Sequence, residues 1–257
     1  MATNTKYRAK KADINGFIHY SDRDNTTWKI LIERQLTLIE NRACNEYIIG
    51  LRDLDLPRLH IPQLADIDDK LGNATGWRTE AVSALISFER FFTLLANKKF
   101  PVATFIRNRD ELDYLQEPDI FHEIFGHCPL LLDPDFASFT ENYGKLAKRA
   151  SKEDRRYLAR LYWFTVEFGL LDTDSGLRIY GGGILSSKQE TLYALTSEKP
   201  HRVNFNIMDV LRTPYRIDVL QEVYFKISSM QELSKISQLD LLEMVANAKE
   251  LGLYSAS

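Results

Sequence analysis

Two of the five histidines in this 257-residue chain, His122 and His127, stand five residues apart in the largely apolar segment Glu117-Pro118-Asp119-Ile120-Phe121-His122-Glu123-Ile124-Phe125-Gly126-His127-Cys128-Pro129. Two imidazoles in such surroundings suit a metal ion, and their spacing decides how. A helix turns about 100° per residue, so histidines at i and i+4, as in the zinc-protease pattern H-E-x-x-H, lie about 40° apart and face one ion. At i and i+5 they would lie about 140° apart on an unbroken helix. Both can meet one metal only if the helix ends or bulges between them, and Gly126 with Pro129 are residues expected at such a break. The plainer alternative is two separate polar residues, at the surface or in satisfied core positions.

Imidazole suits zinc, copper, nickel and iron alike, so a third ligand must narrow the choice. Leu161-Tyr162-Trp163-Phe164-Thr165-Val166-Glu167-Phe168-Gly169-Leu170-Leu171 carries one charge among bulky apolar side chains. An ionised carboxylate placed there must be paired or bound to a metal, which makes Glu167 the best third ligand. The competing readings are a buried pair with Arg160 or another arginine, or a glutamate on an exposed helical face. Two histidines and one glutamate leave open coordination positions, as in non-haem Fe(II) oxygenases and some zinc hydrolases. Phe100 to Arg107 reads as a strand ending in a cation, and Arg107 there could grip the carboxylate of an amino acid through paired hydrogen bonds. Tyr180-Gly181-Gly182-Gly183-Ile184-Leu185-Ser186-Ser187 is a mobile or closely approached backbone followed by two hydroxyls. It matches neither G-x-G-x-x-G nor a P-loop and reads as an ordinary turn.

The elements that would hold these residues are mostly helical. Apolar positions from Thr27 to Leu51 recur at three and four spacings and predict one helix ending near Gly50. Ile61 to Gly72 reads as a short helix with a glycine stop, and helical patterns cover about 80–96, 135–150, 152–171, 216–227 and 237–251. Strand signals are few: Val102–Ile106, Leu177–Tyr180 and His201–Phe205. The fold expected is mainly α with a small β component. Residues 1–20 are basic, polar and aperiodic, which predicts a flexible arm, and nothing divides 21–257, so a single catalytic domain is expected there.

Lysines and arginines number 33 against 36 acids, a net charge of −3 with a pI near 6.0, which leaves no wide basic face. That argues against nucleic acid or an anionic membrane as the main partner and favours a small molecule. Two cysteines cannot form a disulfide framework, and Cys44 reads as a helix-packing residue and Cys128 as a small apolar neighbour of His127. Without a signal-peptide core or a run of about 18 apolar residues, the expected compartment is cytoplasmic.

On these motifs the chain resembles the tetrahydropterin-dependent aromatic amino acid hydroxylases, most closely their short bacterial phenylalanine-hydroxylating members. The resemblance runs from Thr75-Gly76-Trp77 to Ser197-Glu198-Lys199-Pro200 and rests on Glu117–Pro129, Trp163–Leu170 and Tyr180–Ser187. It implies that Fe(II) and a tetrahydropterin reduce O2 to hydroxylate L-phenylalanine to L-tyrosine. By position it implies iron ligands at His122, His127 and Glu167, and a substrate-carboxylate arginine at Arg107. It also implies an amino acid pocket at Pro118, Trp163, Gly183 and Ser186, and a pterin wall at Ala84, Leu85, Ile86 and Phe91 with Glu123 near the ring. Glu190 corresponds to an acid supporting the site through hydrogen bonds. Trp163 favours phenylalanine, since the tyrosine and tryptophan enzymes usually carry another residue there. Leu115 and Phe88 depart from the animal phenylalanine enzyme, which has threonine and serine at these places.

A tryptophan hydroxylase is the near alternative. A zinc hydrolase using Glu123 as base, or a binding protein with a structural metal or none, are alternatives of other classes. With no room for the animal tetramerisation helix, a monomer is expected.

Overall fold

The helical body starts at a reciprocal cap: the Ser21 hydroxyl accepts from the Asp24 N–H while the Asp24 carboxylate accepts from the Ser21 N–H. The structure, a computed structural model, describes residues 7–83, 85–115 and 117–255. α1 (Asp22–Ile39) buries Trp28, Leu31, Ile32 and Ile39. It does not continue to Gly50 as its periodicity predicts. Asn41 turns the chain with φ of 58°, and Arg42 and Cys44 exchange backbone hydrogen bonds with Ile179 at 2.8 Å each. A tertiary bridge thus interrupts a pattern that local propensity would have carried through, and α2 (Asn45–Leu54) restarts beyond it. Gly50 lies inside α2, and α3 (Leu64–Thr75) likewise runs past Gly72 to Gly76, whose φ of 78° takes the left-handed stop.

The expected helix over 80–96 begins as strand and becomes helical only at Phe88. β1 (Arg78–Val82) pairs in parallel with β2 (Lys99–Ala103), and only α4 (Phe88–Leu95), capped by Ser87, is helical. β2 stops at Ala103, yet the chain stays buried to Arg107, and the Phe105 carbonyl accepts the Ile120 N–H at 2.9 Å. α5 (Pro134–Arg149) has Asp133 as its cap and Pro134 at its first position.

α6 (Asp154–Tyr162) leads to the second sheet, of order β4-β3-β6-β5. Its strands are β3 (Leu170–Thr173), β4 (Gly176–Ile179), β5 (His201–Asn204) and β6 (Val223–Ile227). β6 stands where a helix over 216–227 is expected. Val-Tyr-Phe-Lys-Ile is rich in β-branched and aromatic residues and sits between two strands it parallels, which outweighs the helical spacing of its apolar positions. The remaining helices are α7 (Gly182–Leu185), α8 (Lys188–Thr196), α9 (Ile207–Arg212), α10 (Met230–Ile236) and α11 (Leu241–Leu251). The architecture is mainly α with a small β component, as the patterning predicts.

One hydrophobic cluster extends from Trp28 to Ala248, and the His122–His127 and Glu167 segments lie within it. The segment expected to form a loose arm is anchored from Tyr7 onward. Tyr7 stacks on Phe105 with ring centres 4.7 Å apart, and Thr104 donates to the Lys10 carbonyl at 2.7 Å. Those contacts bind it to the stretch that ends in Arg107. Among the described residues no helix is long and apolar enough to cross a membrane.

Candidate metal centre

His122–His127 form a π-helical turn. Such a turn closes i→i+5 rather than i→i+4, so side chains five apart come to the same side. This is the bulge that the spacing demanded: the two Nε2 atoms lie 3.2 Å apart. A second π-helical turn, Trp163–Glu167, ends α6, and the Phe168 N–H bonds the Trp163 carbonyl at 2.8 Å. It carries Glu167 inward, with Oε1 3.4 Å from His127 Nε2 and Oε2 3.7 Å from His122 Nε2. Among the described residues no lysine or arginine pairs with Glu167, and Arg160 instead donates to the Arg156 carbonyl of its own helix. The buried Glu–Arg alternative is therefore not what the fold builds.

The surroundings aim these three donors. Ser186 gives its hydroxyl hydrogen to the Gly182 carbonyl at 2.8 Å, so at 2.9 Å from His122 Nδ1 its oxygen must accept. That fixes the Nδ1–H tautomer and leaves a lone pair on His122 Nε2, the arrangement a metal-ligating histidine needs. Ser186, expected on the pocket wall, thus stands behind His122. His127 is oriented by packing: its Nδ1 is buried without a hydrogen-bond partner among the described residues, and the Phe100 ring lies 5.1 Å away. A Cβ on Gly182 would stand 2.5 Å from the His127 ring, so the triple glycine is a closely approached backbone rather than an ordinary turn.

Two carboxylates approach the imidazoles, and electrostatics separates them. Burial works against ionised Glu167, but His127 and His122 outweigh it and hold the carboxyl below the usual range. Glu123, whose carboxyl also comes within 4.8 Å of imidazole nitrogens, is pushed well above that range by burial, with Glu167 adding to the effect. Burial lowers His122 to about 4, against the opposing pull of Glu167. The donor set offered to a cation is therefore two imidazoles and the Glu167 carboxylate, with Glu123, whose ionisation burial opposes, beside it. A d-block divalent ion fits these N and O donors.

Arg107 is held by Asp119, a residue whose role the sequence reading missed. Asp119 accepts from Arg107 Nε and Nη2 at 2.8 Å each, from its N–H at 2.9 Å, and from the His122 N–H at 3.1 Å. One buried carboxylate thus orients both the arginine and the first histidine. The signal was present, since Asp119 is an acid in an apolar run just as Glu167 is. Gln221 was missed too: its Oε1 accepts from Trp163 Nε1 at 2.8 Å, and its own N–H donates to Glu190 at 3.1 Å. Tyr224 donates to the other Glu190 oxygen. Glu190 therefore supports Trp163 through Gln221, and both line the larger cavity; no local pattern around residue 221 announces that.

Two of the three donors, His122 and Glu167, with His127 buried against them, stand between two cavities. The larger, about 370 Å³, is lined by Arg107, Leu115, Phe168 and Gly183 among others, and the smaller, about 250 Å³, by Leu85, Ile86, Phe88, Phe91, Glu123 and Tyr162 among others. Pro118, His122, Trp163 and Glu167 line both. Trp163 packs against Phe168 and Tyr215, with ring centres 4.5 and 4.4 Å away. Phe91 meets the Tyr162 ring edge-on at 5.2 Å. Leu115 and Phe88, the two departures, fall one in each cavity. Ala84 lies outside the described residues.

Residues 1–241 match the family model described as biopterin-dependent aromatic amino acid hydroxylase. The chain is 56% identical over 251 residues to the phenylalanine-4-hydroxylase of Pseudomonas aeruginosa, an alignment covering 98% of this chain and 95% of that one. The apo structure of the cold-active phenylalanine hydroxylase from Colwellia psychrerythraea 34H matches with a TM-score of 0.96 at 54% identity, covering 98% and 97% of the two chains. The Chromobacterium violaceum phenylalanine hydroxylase, solved with bound iron(III) and oxidized 7,8-dihydrobiopterin, matches with a TM-score of 0.89 at 43% identity over 96% and 91%. A family match over nearly the whole chain and a shared fold at this identity lead to one conclusion: the chain belongs to the biopterin-dependent aromatic amino acid hydroxylases.

Proposed function

We propose that the chain is a phenylalanine 4-monooxygenase, converting L-phenylalanine to L-tyrosine with O2 and a tetrahydropterin at a single non-haem Fe(II). The observation that carries this reading is the placement of His122 and Glu167, with the buried His127 imidazole against both, at the seam of two cavities. A reaction joining two organic partners and O2 at one ion needs such a seam. Iron held by these residues, with the pterin as electron donor, supplies the reduction of O2 and an oxidant strong enough for an aromatic ring.

The chain's own residues bind and orient. Arg107, held rigid by Asp119, receives the substrate carboxylate in the larger cavity, where Pro118, Trp163, Phe168 and Gly183 form a wall for the apolar ring. Phe91, Leu85 and Ile86 offer an apolar wall to the pterin in the smaller cavity, and the Glu123 carboxyl, which burial favours in its protonated form, can donate a hydrogen bond to it. Ser186 holds the His122 tautomer, and Glu190 holds Trp163 through Gln221. The buried thiols Cys44 and Cys128 fit a reducing, cytoplasmic compartment.

The test is metal-stripped protein reconstituted with Fe(II) or Zn(II) and given phenylalanine, tetrahydropterin and O2, with tyrosine followed by chromatography. Tyrosine is expected with iron, pterin and oxygen together, and not from His122→Ala or Glu167→Ala. Hydroxylation of tryptophan in preference to phenylalanine would move the assignment within the family. Turnover with zinc and without O2 would replace it by a hydrolase.

A further inference from the structure

Phe125 sits in the π-helical turn between the two histidines, and the sequence itself leaves its carbonyl short of a donor. In a helix the N–H four residues on would bond it, but that residue is Pro129, which has none. The Tyr47 hydroxyl, from α2, donates to the Phe125 carbonyl at 2.5 Å from a fully buried side chain. The same helix meets the same segment again nearly one turn later, where a Cβ on Gly50 would stand 2.0 Å from the Pro129 oxygen. At its start α2 is tied to the end of β4 by the Cys44–Ile179 hydrogen bond of 2.8 Å. Three residues beyond Ile179 begin Gly182 and Gly183, which pack on His127 and Glu167. α2 therefore braces two separate segments that carry or press on the candidate ligands.

We infer that Tyr47 is a positioning residue for the metal: its hydroxyl holds the widened turn in the register that brings His127 Nε2 to His122 Nε2. π-helical turns are rare, and because Pro129 cannot donate, a segment released from this hydrogen bond keeps a buried unpaired Phe125 carbonyl and is free to leave the widened register, outside which histidines five apart diverge by about 140°. The donor that Pro129 withholds from an ordinary α-turn, Tyr47 supplies to the widened one. The inference rests on the reading of His122, His127 and Glu167 as metal ligands.

The experiment titrates Co(II) into metal-stripped parent, His122→Ala, Tyr47→Phe, Pro129→Ala and Thr75→Val, reading the ligand-field absorption bands and Kd, with thermal unfolding of each apoprotein. One-to-one binding by the parent and its loss in His122→Ala test the ligand assignment separately; no binding by the parent would sink that assignment rather than the role of Tyr47. Given parent binding, folded Tyr47→Phe is expected to bind Co(II) roughly ten-fold or more weakly with shifted bands, the usual scale for residues that support ligands. Thr75→Val removes a comparable hydroxyl, given to the Leu131 carbonyl at 2.7 Å just past the turn, and is expected to lower Tm without moving Kd. Pro129→Ala gives Phe125 a backbone donor and is expected to weaken Co(II) binding without lowering Tm. That variant decides the matter if Tyr47→Phe does not fold. Unchanged affinity and bands in the folded variant, or an equal loss of affinity in Thr75→Val, would overturn the inference.

Discussion

Gly183 lies so close to Glu167 that a Cβ on it would stand 2.9 Å from the carboxylate Oε2 and 3.0 Å from the Glu167 backbone oxygen. Neither neighbour is the free end of a flexible chain, since the carboxylate faces both imidazoles and the backbone oxygen belongs to a buried turn. Gly183→Ala must therefore displace the carboxylate. Misplacement by about 1 Å costs on the order of 10²-fold in rate. The variant is expected to fold, to retain less iron than the parent after reconstitution, and to form tyrosine about 10²-fold more slowly. Iron stoichiometry by elemental analysis checks the first link and initial rates the second; full iron content with parent rates would show that the carboxylate has room to spare.

Arg107 and Asp119 predict a split between stability and affinity. Asp119→Ala leaves a buried guanidinium without its partner, a loss of about 3–5 kcal/mol that denaturant unfolding would register. Arg107→Lys keeps the charge but not the planar fork, so it is expected to raise KM for phenylalanine about ten-fold or more while leaving KM for the pterin unchanged. Equal movement of both constants would place Arg107 outside the amino acid site.

The lesson of these residues is which signals a sequence carries. His122, His127 and Glu167 were legible because each is chemically out of place, polar or charged within apolar runs, and the i, i+5 spacing even required the bulge that the structure contains. Asp119 carries the same signal, an acid in an apolar run. Gln221, Tyr47 and Tyr215 carried none, because their importance comes from residues 58, 78 and 52 positions away. The helices at Pro134–Arg149 and Leu241–Leu251 were legible from local spacing alone. The break after Ile39 and the strand at Val223–Ile227 were not, since a bridge to Ile179 and pairing to two distant strands decide them.

The buried carboxyl of Glu123, its pKa raised, gives the metal-free protein a stability that depends on pH. Burial raises its folded pKa well above the ordinary 4.5. The unfolded chain releases this proton as pH rises through 4.5 and the folded chain does not, so this contribution is fully present below 4.5 and is lost as pH climbs toward the folded value. His122 acts in the opposite sense: lowered from 6.5 to about 4, it costs stability as pH falls between those values. Glu123→Gln removes the first effect alone. Its unfolding free energy is expected to gain on the parent by up to about 1.4 kcal/mol per pH unit above 4.5. Urea titrations from pH 5 to 8 measure this, and parallel curves would mean that Glu123 is ionised in the folded protein.

Phe91 and Trp163 test whether the two cavities serve two molecules. Phe91 lines the smaller cavity only, whereas Trp163 lines both. Loss of an aromatic contact is worth about 0.5–1.5 kcal/mol, or roughly 2- to 10-fold in a binding constant. Phe91→Ala is expected to raise KM for the pterin by that factor with KM for phenylalanine unmoved, while Trp163→Ala raises both. A pterin binding between Phe91 and the metal leaves the substrate blind to Phe91, because His122 and Glu167 stand between them. If Phe91→Ala moved the two constants together, the cavities would be a single chamber, and the order in which the partners enter would have to set their separation instead.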